Sequence, residues 1–304
     1  MKVSSRRRRR RRTAARRLKN TLLYLLMRCG VLAMERLPVR GFMRGLGNLS
    51  PYIFRREAQC AQEQLRASLP DLDAAKTTRR MFVHFSESLW ELARLRRSVP
   101  RLDGAAKEVL DTALQRGNGA VLISGHIGNW EILAQAVAAA GYPVATVATP
   151  SFDPRITRWL DRWRSQRGLK IIWRRNSSAK AVVRLLRSNH LVGFLIDQDT
   201  DTAGDYVNFF GRPAFTPTSP AALALRTGAP VIFCWHHRRG KVHKITMEPI
   251  AYHPTGNLER DTLSLTGLLT ARLEEVIRRA PEQWVWLHRR WRTLGEHPPL
   301  DSTR

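Results

Sequence analysis

Cysteines are few in this chain, and they are spaced too widely to build a site. The 304 residues include three cysteines, Cys29, Cys60 and Cys234, which form no Cys-x-x-Cys pair. An odd number of distant cysteines argues against a disulfide framework and against a zinc or redox site. No set of His, Cys and carboxylate residues has metal-ligand spacing either. We therefore expect reduced thiols in a cytoplasmic setting, with no metal and no cofactor.

Acidic residues are also scarce. Lys and Arg total 52 against 25 Asp and Glu, which gives a formal net charge of +27. Residues 1–20 carry eleven basic side chains and no acidic one. A basic chain suits an acidic partner, which can be nucleic acid, an anionic lipid surface or an acidic protein. We expect no nucleic-acid binding because no recognition fold or stacking platform accompanies the charge, and we predict a basic disordered tail at residues 1–17.

Long hydrophobic runs are absent as well, and an amphipathic segment stands near the N-terminus. Its apolar residues at helical spacing are Leu22, Leu25, Leu26, Cys29 and Leu32. The apolar stretches stop well short of the roughly 20 residues that a clean membrane span needs. This pattern favours a helix in the membrane interface, within a membrane-associated helical segment at residues 18–50, and the alternative is an ordinary core helix. Arg28 interrupts the apolar stretch, so we expect no cleaved secretory signal.

Beyond this segment the chain alternates short apolar runs with helical stretches, which predicts an α/β domain over residues 51–304. The predicted strands are 120–123, 143–148, 169–173, 191–196, 231–235 and 242–248, and the helices between them include 130–140, 154–166 and 178–188. Strands separated by helices of this length imply parallel crossovers and a mixed, mostly parallel sheet covered by helices on both faces. Ligand sites of such sheets lie just beyond the strand ends.

The most informative motif follows the first predicted strand. Residues 126–131 read His-Ile-Gly-Asn-Trp-Glu, with Asn129 placed to cap the next helix. His126 lies in the loop and Glu131 in the first helical turn, from which its carboxylate can reach one ring nitrogen and leave the other to take a proton. A base paired with its orienting group is typical of acyl transfer. A His-x4-Glu match alone is weak, and a structural histidine is the alternative.

Three blocks resemble the bacterial lipid A biosynthesis acyltransferases, the late acyltransferases within the wider lysophospholipid and glycerolipid acyltransferase group. Residues 124–130, continued by Glu131, resemble the family's Gly-His-x-Gly-Asn-Trp-Glu signature. Residues 207–213 with Thr216-Pro217 resemble its Phe-Phe-Gly turn and Thr-Pro helix start, and residues 281–291 resemble its C-terminal block. The blocks occur in the family's order, so together they are far more specific than one motif.

The resemblance implies O-acyl transfer with His126 as general base and Glu131 as the residue that fixes its tautomer. Backbone N–H groups at the start of the 130–140 helix are the expected oxyanion donors. The expected substrate-binding residues are Asn129, Arg164, Arg167, Asp197, Asp199 and Arg212. The two aspartates flank Gln198 after a predicted strand and can equally be solvated turn residues. Arg212 is expected to contact a phosphate or the carrier protein.

The resemblance further implies three partners: acyl carrier protein as donor, a lipid A precursor as the membrane glycolipid acceptor, and the cytoplasmic face of the inner membrane. Family members often carry one N-terminal membrane helix, so a span stays open beside the interfacial anchor. Another acceptor, such as a phosphatidylinositol mannoside or a lysophospholipid, and a degenerate scaffold also stay open. Glycerol-3-phosphate fits less well, because the Pro-Glu-Gly-Thr block of glycerolipid relatives is absent and Glu131 stands where they usually carry aspartate.

Overall fold

The computed structural model describes residues 20–95, 99–151, 153–174 and 178–293. The basic tail predicted at residues 1–17 lies outside these ranges. The helices are α1 (20–36), α2 (Arg40–Ile53), α3 (Arg55–Ser68), α4 (Ala74–Arg94), α5 (Gly104–Leu114), α6 (Trp130–Ala139), α7 (Pro154–Ser165), α8 (Ser178–Arg187), α9 (Ser219–Thr227) and α10 (Leu258–Arg279). A short 3-10 turn, Pro281–Gln283, follows α10.

The strands build one large sheet and one hairpin. They are β1 (Ala120–Ser124), β2 (Val144–Ala148), β3 (Lys170–Trp173), β4 (Leu191–Leu195), β5 (Gly204–Phe209), β6 (Arg212–Pro217), β7 (Val231–Arg239) and β8 (Val242–Ile250). The large sheet has the order β3-β2-β4-β1-β7-β8, in which only β7 and β8 pair antiparallel. This confirms the predicted mixed, mostly parallel sheet.

Both faces of this sheet are covered by helices, as predicted. One core joins the sheet to α5, α6 and α7, and the other joins it to α8, α9, α10 and the α3–α4 pair. All five residues of β1 are buried, which explains why this central strand reads as a continuous apolar run rather than an alternating one.

The β5–β6 hairpin was not predicted, although its turn was. The two residues between these strands, Phe210 and Gly211, have φ values of 54° and 72°. A two-residue hairpin turn with positive φ at both central positions matches the twist of the flanking strands. A left-handed Phe is uncommon, so sequence rules alone do not indicate this hairpin.

The N-terminal helices leave many apolar side chains exposed. α2 packs closely on α4 through Gly47, where a Cβ would lie 2.6 Å from the Cα of Val83. Met43 faces inward at 7% exposed, whereas Phe42 on the outer side is 69% exposed and Leu46 is 39% exposed. In the part of the chain that the structure describes, no helix combines the length and the apolar character needed to cross a membrane. The predicted boundary between the N-terminal helical segment, 18–50, and the α/β domain, 51–304, falls inside α2.

Candidate active site

His126 and Asp197 come together because the strands before them are neighbours. β1 and β4 pair in parallel with Ser124 opposite Leu195, and His126 and Asp197 each follow a strand end by two positions. Nδ1 of His126 lies 2.8 Å from Oδ1 of Asp197, and the His126 backbone N–H donates to Oδ2 at 2.6 Å. The carboxylate therefore holds both the ring and the backbone of the histidine.

Asp197 is a buried anion. It is 2% exposed, and the indole Nε1 of Trp284 donates a further hydrogen bond to its Oδ2 at 2.8 Å. Burial by itself raises the pKa of this carboxyl, but the charge of His126 and the hydrogen bonds from His126 and Trp284 outweigh it, so the pKa lies well below its ordinary value. Asp197 thus stays ionised at neutral pH.

The bond to Asp197 determines which ring nitrogen of His126 can accept a proton. An ionised carboxylate only accepts hydrogen bonds, so in the neutral form of the ring Nδ1 carries the hydrogen and Nε2 carries the lone pair. Nε2 lies 3.3 Å from the amide nitrogen of Gln198, and that nitrogen lies 2.7 Å from Nε2 of His288. Trp130 packs edge-on against the His126 ring, with the ring centroids 4.8 Å apart. The His126 side chain is 17% exposed and lines a cavity.

Glu131 pairs with Arg164 rather than with His126, which corrects the sequence prediction. Oε2 of Glu131 accepts from Nε of Arg164 at 3.0 Å, and Oε1 accepts from Nη2. Arg164 lies in the last turn of α7, and its planar guanidinium matches the carboxylate with two hydrogen bonds. Asp197 takes the orienting place expected for Glu131. Arg164, predicted to bind substrate, lines the same cavity as its partner.

The cavity beside His126 has a volume of about 330 Å³. His126, Trp130, Glu131 and Arg164 line its part near the strand ends. Apolar side chains line the space between α6 and the sheet: Leu122, Leu133, Ala134, Val137, Val144 and Leu195. A mostly apolar cavity with a basic nitrogen at one end suits a hydrocarbon chain attached to a reactive carbonyl.

Three residues predicted to bind substrate have buried side chains that form hydrogen bonds within the protein. Asn129 is 4% exposed and caps α6, with Oδ1 accepting from the Ile132 N–H at 3.3 Å, as its predicted capping role requires. The Asp199 side chain is 1% exposed and accepts from the N–H and the hydroxyl of Thr293, at 3.0 and 2.9 Å. Asp197 is the carboxylate that holds His126. Burial leaves these side chains little free surface, and their contact with substrate stays a prediction.

The other two predicted arginines are not among the described residues that line the cavity. Nη2 of Arg167 donates to the carbonyl oxygen of Leu95 at 2.7 Å. Nη2 of Arg212 donates to Oγ of Ser68 at 3.0 Å, and its guanidinium carbon lies 3.7 Å from the ring centroid of Trp291. Their contact with substrate or carrier protein stays a prediction. Within the described ranges, no three His, Cys, Asp or Glu side chains form a group that could hold a metal ion.

One protein family matches almost the whole chain. The family described as bacterial lipid A biosynthesis acyltransferase matches residues 8–293. The chain belongs to this family. The resemblance inferred from the three sequence blocks is thereby confirmed.

Relatives in this acyltransferase family carry two kinds of name. The phosphatidylinositol mannoside acyltransferase of Mycobacterium tuberculosis (strain CDC 1551 / Oshkosh) is 27% identical over 203 residues, 65% of this chain and 62% of that protein. The lipid A biosynthesis lauroyltransferase of Escherichia coli (strain K12) is 26% identical over 271 residues, 84% of this chain and 85% of that protein. The chain thus matches less than two thirds of the length of the mannoside acyltransferase.

Three residues near His126 were not predicted from the sequence: Gln198, Trp284 and His288. Gln198 stands between the two predicted aspartates, and a search for charged groups passes over it. The other two belong to the C-terminal block, which the sequence identifies without assigning roles inside it. An antiparallel bridge between Ile127 and Trp284 brings that block to the loop that carries His126, and no local spacing rule indicates such a bridge.

A buried polar network contacts the His126 loop through Gly128 and Asn129. Gly128 has a φ of +61°, and a Cβ at this position would overlap the carbonyl oxygen of His236. The Asn129 N–H donates to Nδ1 of His236 at 2.8 Å, and Nε2 of His236 lies 2.9 Å from Nδ1 of His243. Burial lowers the pKa of His236 well below its ordinary value, so the neutral ring can accept this bond. β7 therefore positions a loop that follows β1.

Proposed function

We propose that this protein transfers a fatty acyl group from acyl carrier protein thioester to a hydroxyl of a membrane glycolipid, a lipid A precursor. The observation that carries the proposal is the position of His126. Asp197 holds its Nδ1 at 2.8 Å, and the ring lines a mostly apolar cavity. A base beside a site for a hydrocarbon chain is what acyl transfer to an alcohol requires.

The chemistry follows from the tautomer that Asp197 imposes. Nε2 of His126 removes the proton of the acceptor hydroxyl as its oxygen attacks the thioester carbonyl. The new C–O bond forms, the C–S bond breaks, and the imidazolium returns its proton to the departing thiolate. Asp197 stabilises the imidazolium between these steps without itself taking the proton. The step needs no covalent enzyme intermediate.

Two backbone donors suit the oxyanion of the tetrahedral intermediate. In the first turn of α6, the Ile132 N–H donates to the capping Asn129 side chain, and the Leu133 N–H donates to the Asn129 carbonyl. The N–H groups of Trp130 and Glu131 are the other two donors of that turn, and we assign them to the oxyanion. The Glu131–Arg164 pair anchors this turn to α7 at the cavity mouth.

Acyl carrier protein fits the charge around the cavity. Arg174 lines the cavity, and Arg158 and Arg162 are exposed on α7. A cluster of exposed guanidinium groups attracts an acidic partner and steers its approach. This arrangement supports delivery of the thioester from the α7 side of the cavity.

The exposed apolar side chains of the N-terminal helices support a place on the cytoplasmic face of the inner membrane. In α1 they include Leu22, Leu25 and Leu26, and in α2 they include Phe42, Leu49 and Ile53. Exposed apolar surface of this kind, on helices that also carry arginines, is typical of an interfacial anchor. Binding of the full chain to vesicles rich in anionic lipid tests this membrane location. If the same amount of protein is retained without vesicles, the location is contradicted.

A phosphatidylinositol mannoside is the second candidate acceptor. The mannoside acyltransferase of Mycobacterium tuberculosis is 27% identical over 203 residues, against 26% over 271 residues for the Escherichia coli lauroyltransferase. The longer alignment to the lauroyltransferase favours the lipid A precursor. Both acceptors present a sugar hydroxyl to the same base, so the mechanism above serves either one.

Mass spectrometry of reaction products tests the proposal. Purified full-length protein is incubated with a set of acyl carrier protein thioesters and either acceptor, with the His126→Ala variant as the matched control. We expect an acylated lipid A precursor with the unchanged protein and almost none with the variant. Acylation of the mannoside alone would support the second acceptor, and no acylation of either would contradict the function.

A further inference from the structure

Gly193 lies at the centre of the large sheet, in a strand where a glycine is unexpected. β4 is flanked by β2 and β1, and Gly193 stands opposite Thr146 of β2 and Leu122 of β1. All three residues line the cavity beside His126. Glycine weakens a strand interior, and where it occurs it often marks the close approach of a ligand or of another backbone.

The backbone at Gly193 does not require glycine. It is not among the described glycines that have positive φ. A Cβ built there would lie 3.4 Å from Cγ2 of Thr146 and 3.7 Å from the carbonyl oxygen of Ala145, and these are ordinary contacts. At Gly125, by contrast, a Cβ would lie 2.8 Å from Cδ1 of Leu273. A side chain at position 193 would therefore extend into the cavity, the space that the glycine leaves open.

The position of Gly193 divides the cavity along its length. Leu195, two residues nearer to His126 along β4, lines the cavity, and so does Val144, which lies two residues before Thr146 along β2. Two residues of a strand span about 6.6 Å. Gly193 thus stands between the part of the cavity near His126 and the part near Val144.

We propose that Gly193 sets the length of the acyl chain that the cavity accepts, an inference that rests on the proposed function. The chain passes from the carbonyl at His126 over Gly193 toward Val144 and Val137. A side chain at position 193 closes the part of the cavity beyond it. At about 1.3 Å per methylene of an extended chain, a loss of about 6.6 Å of depth shortens the preferred chain by roughly five methylenes.

The variants Gly193→Ala, Gly193→Val and Gly193→Leu test this in graded steps. Valine suits a strand, so the series need not disturb the sheet. Turnover is measured with octanoyl, dodecanoyl and hexadecanoyl thioesters, and binding of the corresponding fatty acids is measured by calorimetry. Lys244→Val is the matched control, because Lys244 is exposed on the edge strand β8 and lies outside the cavity.

We expect the valine and leucine variants to lose hexadecanoyl turnover by at least about a hundredfold relative to octanoyl turnover, because roughly five buried methylenes no longer fit. The alanine variant shows a smaller shift, and the Lys244→Val control shows none. Equal loss for all chain lengths, or no loss for any, would overturn the inference while leaving acyl transfer established.

Fatty-acid binding separates this inference from the function itself. Suppose that the unchanged protein transfers no acyl group but binds both hexadecanoate and octanoate, and that Gly193→Leu abolishes only hexadecanoate binding. The proposed function then fails and the role of Gly193 stands. If the unchanged protein binds no fatty acid of any length, the cavity does not hold an acyl chain and the inference is overturned.

Discussion

Asp197 and Glu131 are both carboxylates close to the His126 loop, and they differ in burial and in partner. Asp197 is buried at the end of β4 and accepts hydrogen bonds from the His126 ring, the His126 backbone and Trp284. Glu131 lies in the first turn of α6, where its side chain is 14% exposed and paired with Arg164. The buried carboxylate holds His126, whereas the partly exposed one lines the cavity with Arg164.

This difference follows from what each environment does to a charge. A buried carboxylate must be fully hydrogen-bonded, and such bonding fixes the geometry of its partners. The Glu131–Arg164 pair keeps some contact with water, with its side chains 14% and 15% exposed, and its two hydrogen bonds place both side chains beside the cavity. Burial therefore assigns the orienting role to Asp197 even though Glu131 is much nearer in sequence.

Removal of the His126 side chain should have the largest effect on turnover. We expect His126→Ala to reduce acyl transfer by at least about a hundredfold, in line with loss of a general base, while thermal unfolding changes little. Steady-state turnover and a melting curve measure the two quantities. Near-normal turnover in this variant would remove His126 from the mechanism.

Asp197→Asn should come next. The amide keeps the shape but can donate to Nδ1, which favours the tautomer that places the hydrogen on Nε2, so we expect kcat to fall by about a hundredfold. The folded state should persist, as judged by circular dichroism. If kcat falls less than it does in Glu131→Gln, the roles of the two carboxylates are assigned the wrong way round.

Glu131→Gln should reduce turnover by less than about tenfold, because Glu131 pairs with Arg164 and not with His126. The double variant with Arg164→Gln sharpens the test, because it leaves no unpaired cation at the cavity mouth. We expect the double variant to recover part of the loss. A loss as large as that of Asp197→Asn would indicate that Glu131 acts on the reacting groups.

The pH dependence of stability should separate Asp197 from the buried histidines. Burial lowers the pKa of His84 to about 3 and that of His236 well below its ordinary value. The unfolded chain therefore binds more protons than the folded one below pH 6.5, so the free energy of unfolding falls as pH decreases from there. The slope is at most about 1.4 kcal/mol per pH unit for each histidine.

Asp197 acts in a lower pH window. Its folded pKa is depressed, so its contribution is complete above the ordinary carboxyl pKa of 3.8 and is lost as pH falls below that value. Urea denaturation across this range should show the same slope in unchanged protein and Asp197→Asn between pH 6.5 and 4.5. Below pH 4 only the unchanged protein should lose the stability that ionised Asp197 contributes. Identical curves throughout would contradict the buried-anion description.

Much of this architecture could be predicted from local patterns. The run 120–123 is apolar because β1 is buried on both faces, and Asn129 caps α6 because a short amide side chain can accept from the third helical N–H. The helix predicted at 154–166 is α7, Pro154–Ser165, one residue shorter than predicted. These features depend on residues a few positions apart, so a single sequence carries enough information about them.

The sequence by itself determined the alternating α/β pattern, the loop that carries His126, the basic and amphipathic N-terminus and the family. Only the tertiary structure decided which carboxylate holds His126, because β1 and β4 are neighbours in the sheet although 71 residues separate His126 from Asp197. Strand order and the bridge to Trp284 arise from long-range hydrogen bonding and packing. The spacing of residues along the sequence does not indicate those contacts. The prediction that the nearer acid, Glu131, holds the His126 ring was therefore wrong.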